Sequence, residues 1–480
     1  MSIKKNYMYN LIYQLLIMML PLITVPYISR VLHPNGVGTY AFTSSIVSYF
    51  TIIGMLGIGT YGNKLIAMTR DNKIEMSRNF LSIYLLQVML TLSMIIFYLL
   101  FVCFFIREEK LIAYIQTLTL FGTLTDCSWF FFGIELFKQI VTRNIVIKLS
   151  SLLAIFVFVK NPYDLAVYTF IMCLSNLISS LIMWFYLKGR IVLVKPSFHS
   201  ILKHLRPTII YFFPQIALQI YFVLNKTMIG VVSTNTEVGI FDYADKIKSI
   251  GLSGVASLGT VMLPRMAHTF ATGQIDKAKA YLSKSLDFST LLAVPIMFGL
   301  AGISKWFIPW YMGIDFEKCS IVLPILAATI FFMAWSGVFG NQYLVPLGRM
   351  RAYTFSLYVG AVVNFGVNIL LIKPYGSIGA SIGTLLAESA VTVVQLFFVR
   401  SIINLRFIMK NTVIYLCNGF IMYLIVCLIG EKMGVGILTT IIQIIGGFLS
   451  YSILSIIFGL IKRDSTIYEG IRQLRGTLKI

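Results

Sequence analysis

The feature that most restricts how this chain can fold is a succession of apolar runs, each about twenty residues long, separated by short polar gaps. Coiled as a helix, such a run matches the roughly 30 Å hydrocarbon core of a bilayer. Fourteen such segments are read, over 7–29, 37–63, 80–106, 111–134, 139–159, 164–187, 207–232, 238–263, 285–308, 320–346, 353–372, 377–399, 412–430 and 435–461. Charged residues are only 12% of the 480, about half the fraction of a soluble domain. A soluble enzyme, a disordered tail and a disulfide-stapled secreted fold are excluded. The expected fold class is an all-α polytopic membrane protein.

Lys4 and Lys5 precede an apolar stretch from Tyr7 to Ser29. That stretch is too long for the core of a signal peptide and no clear small-residue cleavage site follows it, so it reads as the first span. The net charge of +21 would suit a nucleic-acid binder if the cations lay on a water-facing surface. Here they lie mostly between the apolar runs. Taking the tails and the even-to-odd connections as cytoplasmic puts 28 of the 39 Lys and Arg there, and eight on the opposite side. The positive-inside rule then predicts both termini in the cytoplasm. The six cysteines form no CxxC and the four histidines no HxxxH, so neither a disulfide framework nor a metal site is expected.

An internal repeat is visible at an offset of 201. Val37-Gly38-Thr39-Tyr40-Ala41 corresponds to Val238-Gly239-Ile240-Phe241-Asp242, and Asn63-Lys64 to Pro264-Arg265. Pro21 and Pro26 interrupt segment 1 and Pro214 segment 7; glycines recur in segment 2 (Gly54, Gly57, Gly59) and segment 8 (Gly251, Gly254, Gly259). An offset of six helices makes the repeat parallel, the pattern of transporters built from two bundles related about the membrane normal. Such glycines and prolines are also common in membrane helices generally. The domains expected are a bundle with its cytoplasmic linker over 1–206, a second six-helix bundle over 207–410, and two further helices with a basic tail over 411–480.

These residues also carry a family resemblance. Tyr9-Asn10-Leu11-Ile12-Tyr13-Gln14, Pro21-Leu22-Ile23-Thr24, Pro26-Tyr27-Ile28-Ser29-Arg30-Val31-Leu32, Pro34-Asn35-Gly36-Val37-Gly38 and Tyr61-Gly62-Asn63 resemble the N-terminal signature of bacterial polysaccharide-unit flippases. That family is the oligosaccharide exporter branch of the superfamily that includes the multidrug and toxin extruders. Asp126, Trp129, Phe130, Gly133 and Glu135 resemble its fourth-helix pattern. Lys226-Thr227-Met228-Ile229-Gly230, Ala244-Asp245-Lys246-Ile247 and Gly259 through Met266 resemble its seventh and eighth helices. Two positions depart: Asn225 stands where the family often has an acid, and His33 where a glycine is usual. The resemblance implies about fourteen helices in two pseudo-symmetric bundles around a central cavity, extruder-like. It implies passage of undecaprenyl-diphosphate-linked oligosaccharide from the inner to the outer leaflet of the bacterial cytoplasmic membrane, for capsule, O-antigen or exopolysaccharide. The polysaccharide polymerase machinery is the partner it suggests.

Charges inside apolar helices are costly and usually face a polar cavity or a partner. Lys226 has no acid at i±3 or i±4 and reads as a cation for the substrate diphosphate, or as a side chain reaching the outer interface. Arg30, at the outer end of segment 1, could grip a diphosphate with its two-pronged fork or anchor the helix at the surface. Arg143 and Lys148 in segment 5 fit diphosphate capture or simple positive-inside placement. Lys246 and Lys248 are further diphosphate candidates; the spacings Asp242–Lys246 and Asp245–Lys248 equally predict neutralising pairs on one helix face. Glu388, Asp126, Asp242 and Asp245 are candidates for ion coupling. No P-loop is present and no cofactor is expected. A proton or sodium gradient, or the membrane potential, is the energy source expected. Two negative charges moving outward from an inside-negative compartment gain about 4.6 kcal/mol per 100 mV, at about 2.3 per charge. The competing readings are a proton- or sodium-coupled drug/cation antiporter of the same superfamily, which calls for a more acidic cavity; a membrane glycosyltransferase or polymerase, which calls for a larger loop domain; and a scaffold.

Overall fold

The structure is a computed structural model that describes residues 3–401 and 405–462; within these, the side chains of 3–18, 214–215, 217–222, 257–258, 260–261, 405–407 and 461–462 fall outside the description. The Tyr9–Gln14 motif, Pro214, part of the Gly259–Met266 motif and the basic tail after 462 therefore lie wholly or partly outside the described residues. All regular elements among the described residues are helical. The chain divides into two compact units, Met1–Gly239 and Ile240–Ile480.

The first unit holds α1 (Ile3–Met55), α2 (Ile58–Thr69), α3 (Lys73–Phe105), α4 (Lys110–Thr125), α5 (Ser128–Gly133), α6 (Phe137–Phe158), α7 (Leu165–Leu187), the short α8 (Phe198–Leu202) and α9 (Leu205–Val232). α1 contains two helices joined at a kink at His33, whose backbone has φ 54° and ψ 173°. That conformation suits glycine, which has no Cβ to clash, and here His33 adopts it. A second interruption separates α1 from α2, where Leu56 and Gly57 both take positive φ. Gly57 is also where α9 approaches: a Cβ there would lie 2.7 Å from the Thr208 carbonyl oxygen.

α9 packs on α1 and α2. Thr227 meets Ser45 at 2.9 Å, and Gly230 leaves room for the Phe42 ring. These contacts lie within the first compact unit, which extends to Gly239. The repeat motifs meet here as well. A side chain on Gly38 would collide with the Asn235 carbonyl, and one on Gly239 with the Pro34 carbonyl. Pro34 and Asn235 are themselves equivalent at the offset of 201, so the contact is reciprocal.

α10 (Asn235–Ala271) begins in the first unit and runs into the second, which continues with α11 (Ile275–Met312), α12 (Cys319–Phe339), a π turn (Gly340–Leu344), α13 (Met350–Tyr375), α14 (Ser377–Val399), α15 (Leu405–Met433) and α16 (Ile437–Lys462). α13 and α14 form an antiparallel pair joined at Gly376, and α15 and α16 a second, with α15 lying along α11. The buried Asp287 of α11 ties that last contact, accepting from Asn411 Nδ2 at 3.0 Å and the Tyr415 hydroxyl at 3.2 Å.

Each segment expected from hydropathy overlaps at least one helix. Ten helices among the described residues are long and apolar enough to cross a bilayer, with Val223–Val232 a shorter apolar stretch. The described residues thus give ten such helices where hydropathy predicts fourteen. Segments 1 and 2 merge across the His33 kink, segment 4 is split into α4 and α5, and α10 carries two ion pairs in its first half. The outer faces of the helices are studded with exposed Leu, Ile and Phe, such as Phe104, Phe185 and Phe448, as lipid contact requires. The chain is a multi-pass membrane protein.

Candidate functional site: a cationic pocket in the first unit

Inside the first unit α1, α4, α6 and α7 and the start of α5 line a partly open cavity of about 480 Å3. Helical spacing assembles its walls. Arg143, Asn144, Ile147, Lys148 and Ser151 share one face of α6, and Met172, Ser175, Asn176, Ser179 and Ser180 one face of α7, because residues three and four apart stand above one another. α1 contributes Thr51 and Met55, one turn apart, and the end of α4 contributes Gly122 and Thr123. The break between α4 and α5 brings in Asp126 and Ser128.

A helix broken at hydrocarbon depth bares backbone groups that must find partners within the protein. Gln87 of α3, fully buried, donates from Nε2 to the carbonyls of Thr123 at 2.7 Å and Asp126 at 2.8 Å. Its Oε1 accepts from Trp129 Nε1 at 3.0 Å. Trp184 Nε1 donates to the Thr125 carbonyl at 2.8 Å. The indole of Trp129 lies where a side chain at Gly62 would be, 2.5 Å from a Cβ built there, and Gly133 is pressed in the same way against Ile66 and the Asn63 carbonyl. So Tyr61-Gly62-Asn63 and Trp129…Gly133, far apart in sequence, are two sides of one α2–α5 contact. Beside it, Tyr61 meets His204 Nδ1 at 2.8 Å. Burial, and then the charge of Lys203, hold the His204 ring below its ordinary pKa, so this ring is neutral. Glu135 pairs with Arg70 at 2.8 Å on the exposed rim.

With the break fixed, Asp126 Oδ1 accepts from the Ser128 backbone N–H at 3.0 Å and hydroxyl at 2.6 Å. Arg143, 8% exposed, braces the opposite wall. Its Nε and Nη2 both donate to Asn144 Oδ1 at 3.0 and 2.7 Å, and Nη1 donates to the Ser179 carbonyl at 3.0 Å. Nη1 also reaches the Ser128 hydroxyl at 3.4 Å. Lys148 lies on the same face of α6, five residues along. Two cations, one carboxylate and nine hydroxyl- or amide-bearing side chains thus line a cavity within an otherwise apolar bundle. Such a lining can hold a polar, net-anionic group away from lipid.

Of the residues singled out from sequence, Arg143, Lys148 and Asp126 come together here. Lys226 is half-buried on α9, beside the Thr227–Ser45 contact, and Arg30 is exposed near the His33 kink. Lys246 and Lys248 are paired, with Asp242 and Asp245 respectively, each at 2.7 Å, as the i,i+4 and i,i+3 spacings predict. Glu388 is buried in α14, in the layer that also buries Asn364, Asn368 and Thr384. Sequence reasoning passed over Gln87, Ser128, Asn144 and Asn176. The signal for Gln87 was a lone amide in an apolar helix; the others are polar residues at helical spacing from Arg143 or from one another.

The profile of the family described as "polysaccharide biosynthesis protein" matches residues 3–270. A curated protein of Escherichia coli (strain K12), named "Putative O-antigen transporter", is 24% identical over 406 residues, covering 84% of this chain and 97% of its own length. Among solved structures, the lipid II flippase MurJ in an inward closed conformation superposes with a TM-score of 0.77 at 16% identity, covering 94% of this chain and 99% of that one. An inward-facing multidrug resistance transporter of the MATE family superposes at 0.63 and 14% identity, over 82% and 98%. At these identities the superpositions establish the fold.

Proposed function

The chain belongs to the polysaccharide biosynthesis protein family, and from that premise we propose that it is a flippase for undecaprenyl-diphosphate-linked oligosaccharide. It is a transporter and not an enzyme. The observation that carries the reading is the cationic, hydroxyl-lined pocket built inside a membrane bundle, where a polar headgroup needs shelter. In this reading the protein lies in the bacterial cytoplasmic membrane with fourteen crossings and both termini inside. The lipid tail stays among the helices while the headgroup passes between leaflets by alternating access. Lys226 and Arg30 meet the carrier diphosphate. Lys246 and Lys248, held by Asp242 and Asp245, tune the field rather than grip the substrate. Glu388 is the first candidate for coupling to a proton or sodium gradient.

The test is a flip assay in proteoliposomes with a fluorescent undecaprenyl-diphosphate oligosaccharide, run on the wild type and on Lys226→Ala. Transport that falls in the variant supports the reading and the diphosphate assignment. Transport unchanged in the variant removes Lys226 from the site. A folded wild type that moves cationic dyes but no lipid-linked glycan overturns the function in favour of drug/cation antiport.

A further inference from the structure

The charge of the pocket and the charge of a diphosphate do not match. Arg143 and Lys148 contribute +2 and Asp126 contributes −1, leaving a net +1 in the cavity of about 480 Å3. A diphosphate diester carries two negative charges; a sugar carboxylate carries one. The rest of the lining also suits a sugar. Ser151 on α6, Ser175 and Asn176 on α7 and Thr51 on α1 supply hydroxyl and amide groups on facing walls, the pairing partners of a polyol. Met55, Ile147 and Met172 supply apolar surface for the C–H face of a pyranose ring. The volume lies within the usual range for small-molecule sites.

The two cations differ in role. Arg143 is held against Asn144, Ser179 and Ser128, so it fixes α6 to α7 and to the start of α5. Lys148 lies farther along α6, on the wall shared with Ser151. We infer that this pocket reads the glycan itself: it takes a pyranose bearing a carboxylate, of the uronic-acid type, with Lys148 on the carboxylate and Arg143 positioning the walls. The inference rests on the transport reading above and adds a cargo preference to it, with the carrier diphosphate bound elsewhere.

The experiment uses the full chain in nanodiscs and three soluble probes: a disaccharide containing a uronic acid, the neutral disaccharide with a hydroxymethyl in place of the carboxylate, and inorganic pyrophosphate. Binding is read by the fluorescence of Trp129 and Trp184, which flank the α4–α5 break, and by calorimetry. The acidic disaccharide binds at least about tenfold more tightly than the neutral one, the worth of one charge-assisted hydrogen bond. Lys148→Gln brings the two affinities to within about threefold of each other, while Lys148→Arg retains the preference. Equal affinity for acidic and neutral disaccharides in the wild type overturns the inference. So does a preference that survives Lys148→Gln, or pyrophosphate displacing the acidic disaccharide at lower concentration than the disaccharide itself binds. In the proteoliposome assay, lipid-linked glycans with and without a uronic acid separate the two readings. Crossing of both at equal rates sinks the sugar preference alone, and crossing of neither sinks the transport reading.

Discussion

Gln87→Leu should destabilise the first unit by about 2–4 kcal/mol. The side chain is fully buried and makes three hydrogen bonds, to the Thr123 carbonyl, the Asp126 carbonyl and Trp129 Nε1–H. Leucine fills nearly the same space and makes none. The Thr123 carbonyl keeps a bond from the Asp126 N–H at 3.3 Å, so the loss falls mainly on the Asp126 carbonyl and the indole N–H. Stranding a buried polar group costs about 1–3 kcal/mol, and two such groups set the upper part of the range. Hydrogen bonds between membrane helices average about 0.6 kcal/mol in double-mutant cycles, and three of them set the lower. The measurement is reversible unfolding in mild detergent, with Trp129→Phe and the double variant completing a cycle. Because Trp129→Phe removes one partner of the same network, the double variant should lose less than the sum of the singles, by about 0.5 kcal/mol or more. A Gln87→Leu protein within about 0.5 kcal/mol of wild type would refute the claim that this amide sustains the broken helix.

His33→Gly should raise stability by about 1 kcal/mol in the same unfolding assay, since a strained positive-φ backbone at a non-glycine costs about 1–3 kcal/mol and the greater freedom of glycine in the unfolded chain returns part of that. Gly62→Ala should lower stability by about 1–3 kcal/mol, the usual cost of overpacking, and a structure of the variant should show Trp129 displaced. His204 has a folded pKa below its unfolded value; the folded state therefore binds fewer protons, and stability falls as pH drops through the unfolded value near 6.5. Melting temperature followed from pH 8 to 5 should show that decline, and His204→Gln should flatten it. Flipping in proteoliposomes should accelerate when an inside-negative potential is imposed with a potassium diffusion gradient, and rates insensitive to potential would show that the headgroup crosses with its charge compensated.

Helix positions were legible in the sequence because hydropathy reports length directly, and the Asp242–Lys246 and Asp245–Lys248 pairs because helical spacing fixes which side chains are neighbours. The division of segment 4 was not. Thr125-Asp126-Cys127-Ser128 holds neither Pro nor Gly; the local signal is only the Asp126 side chain capping Ser128, and the freed carbonyls are held from outside, by Gln87 and Trp184 on other helices. The pocket was hidden for a related reason. Thr51, Thr123, Arg143 and Asn176 belong to four helices and become neighbours only through packing, so sequence could nominate Arg143, Lys148 and Asp126 singly without joining them. His33 is the intermediate case. Its departure from the usual glycine was visible, while the backbone conformation that makes the departure costly was not.

The break between α4 and α5 links the family's motif residues to the chemistry of the site. An unbroken helix over 110–133 would satisfy its own carbonyls and would not need Gln87, Trp184 or the indole of Trp129. It would also carry Asp126 and Ser128 past the cavity along a single helical face. The interruption instead leaves Asp126 extended, with φ −70° and ψ 124°, so that its carboxylate caps Ser128, whose hydroxyl lies 3.4 Å from Arg143 Nη1. Gly62 and Gly133 follow from the same requirement, since α5 can lie against α2 only where neither presents a Cβ to the other. Asp126, Trp129 and Gly133 therefore act as one device: the glycine sets the approach, the tryptophan locks it, and the aspartate is what the approach delivers. A substitution at Gly62, which touches nothing in the cavity, should on this argument weaken the binding of acidic disaccharide as well as the fold, and a Gly62→Ala protein that melts early yet binds with unchanged affinity would separate the two.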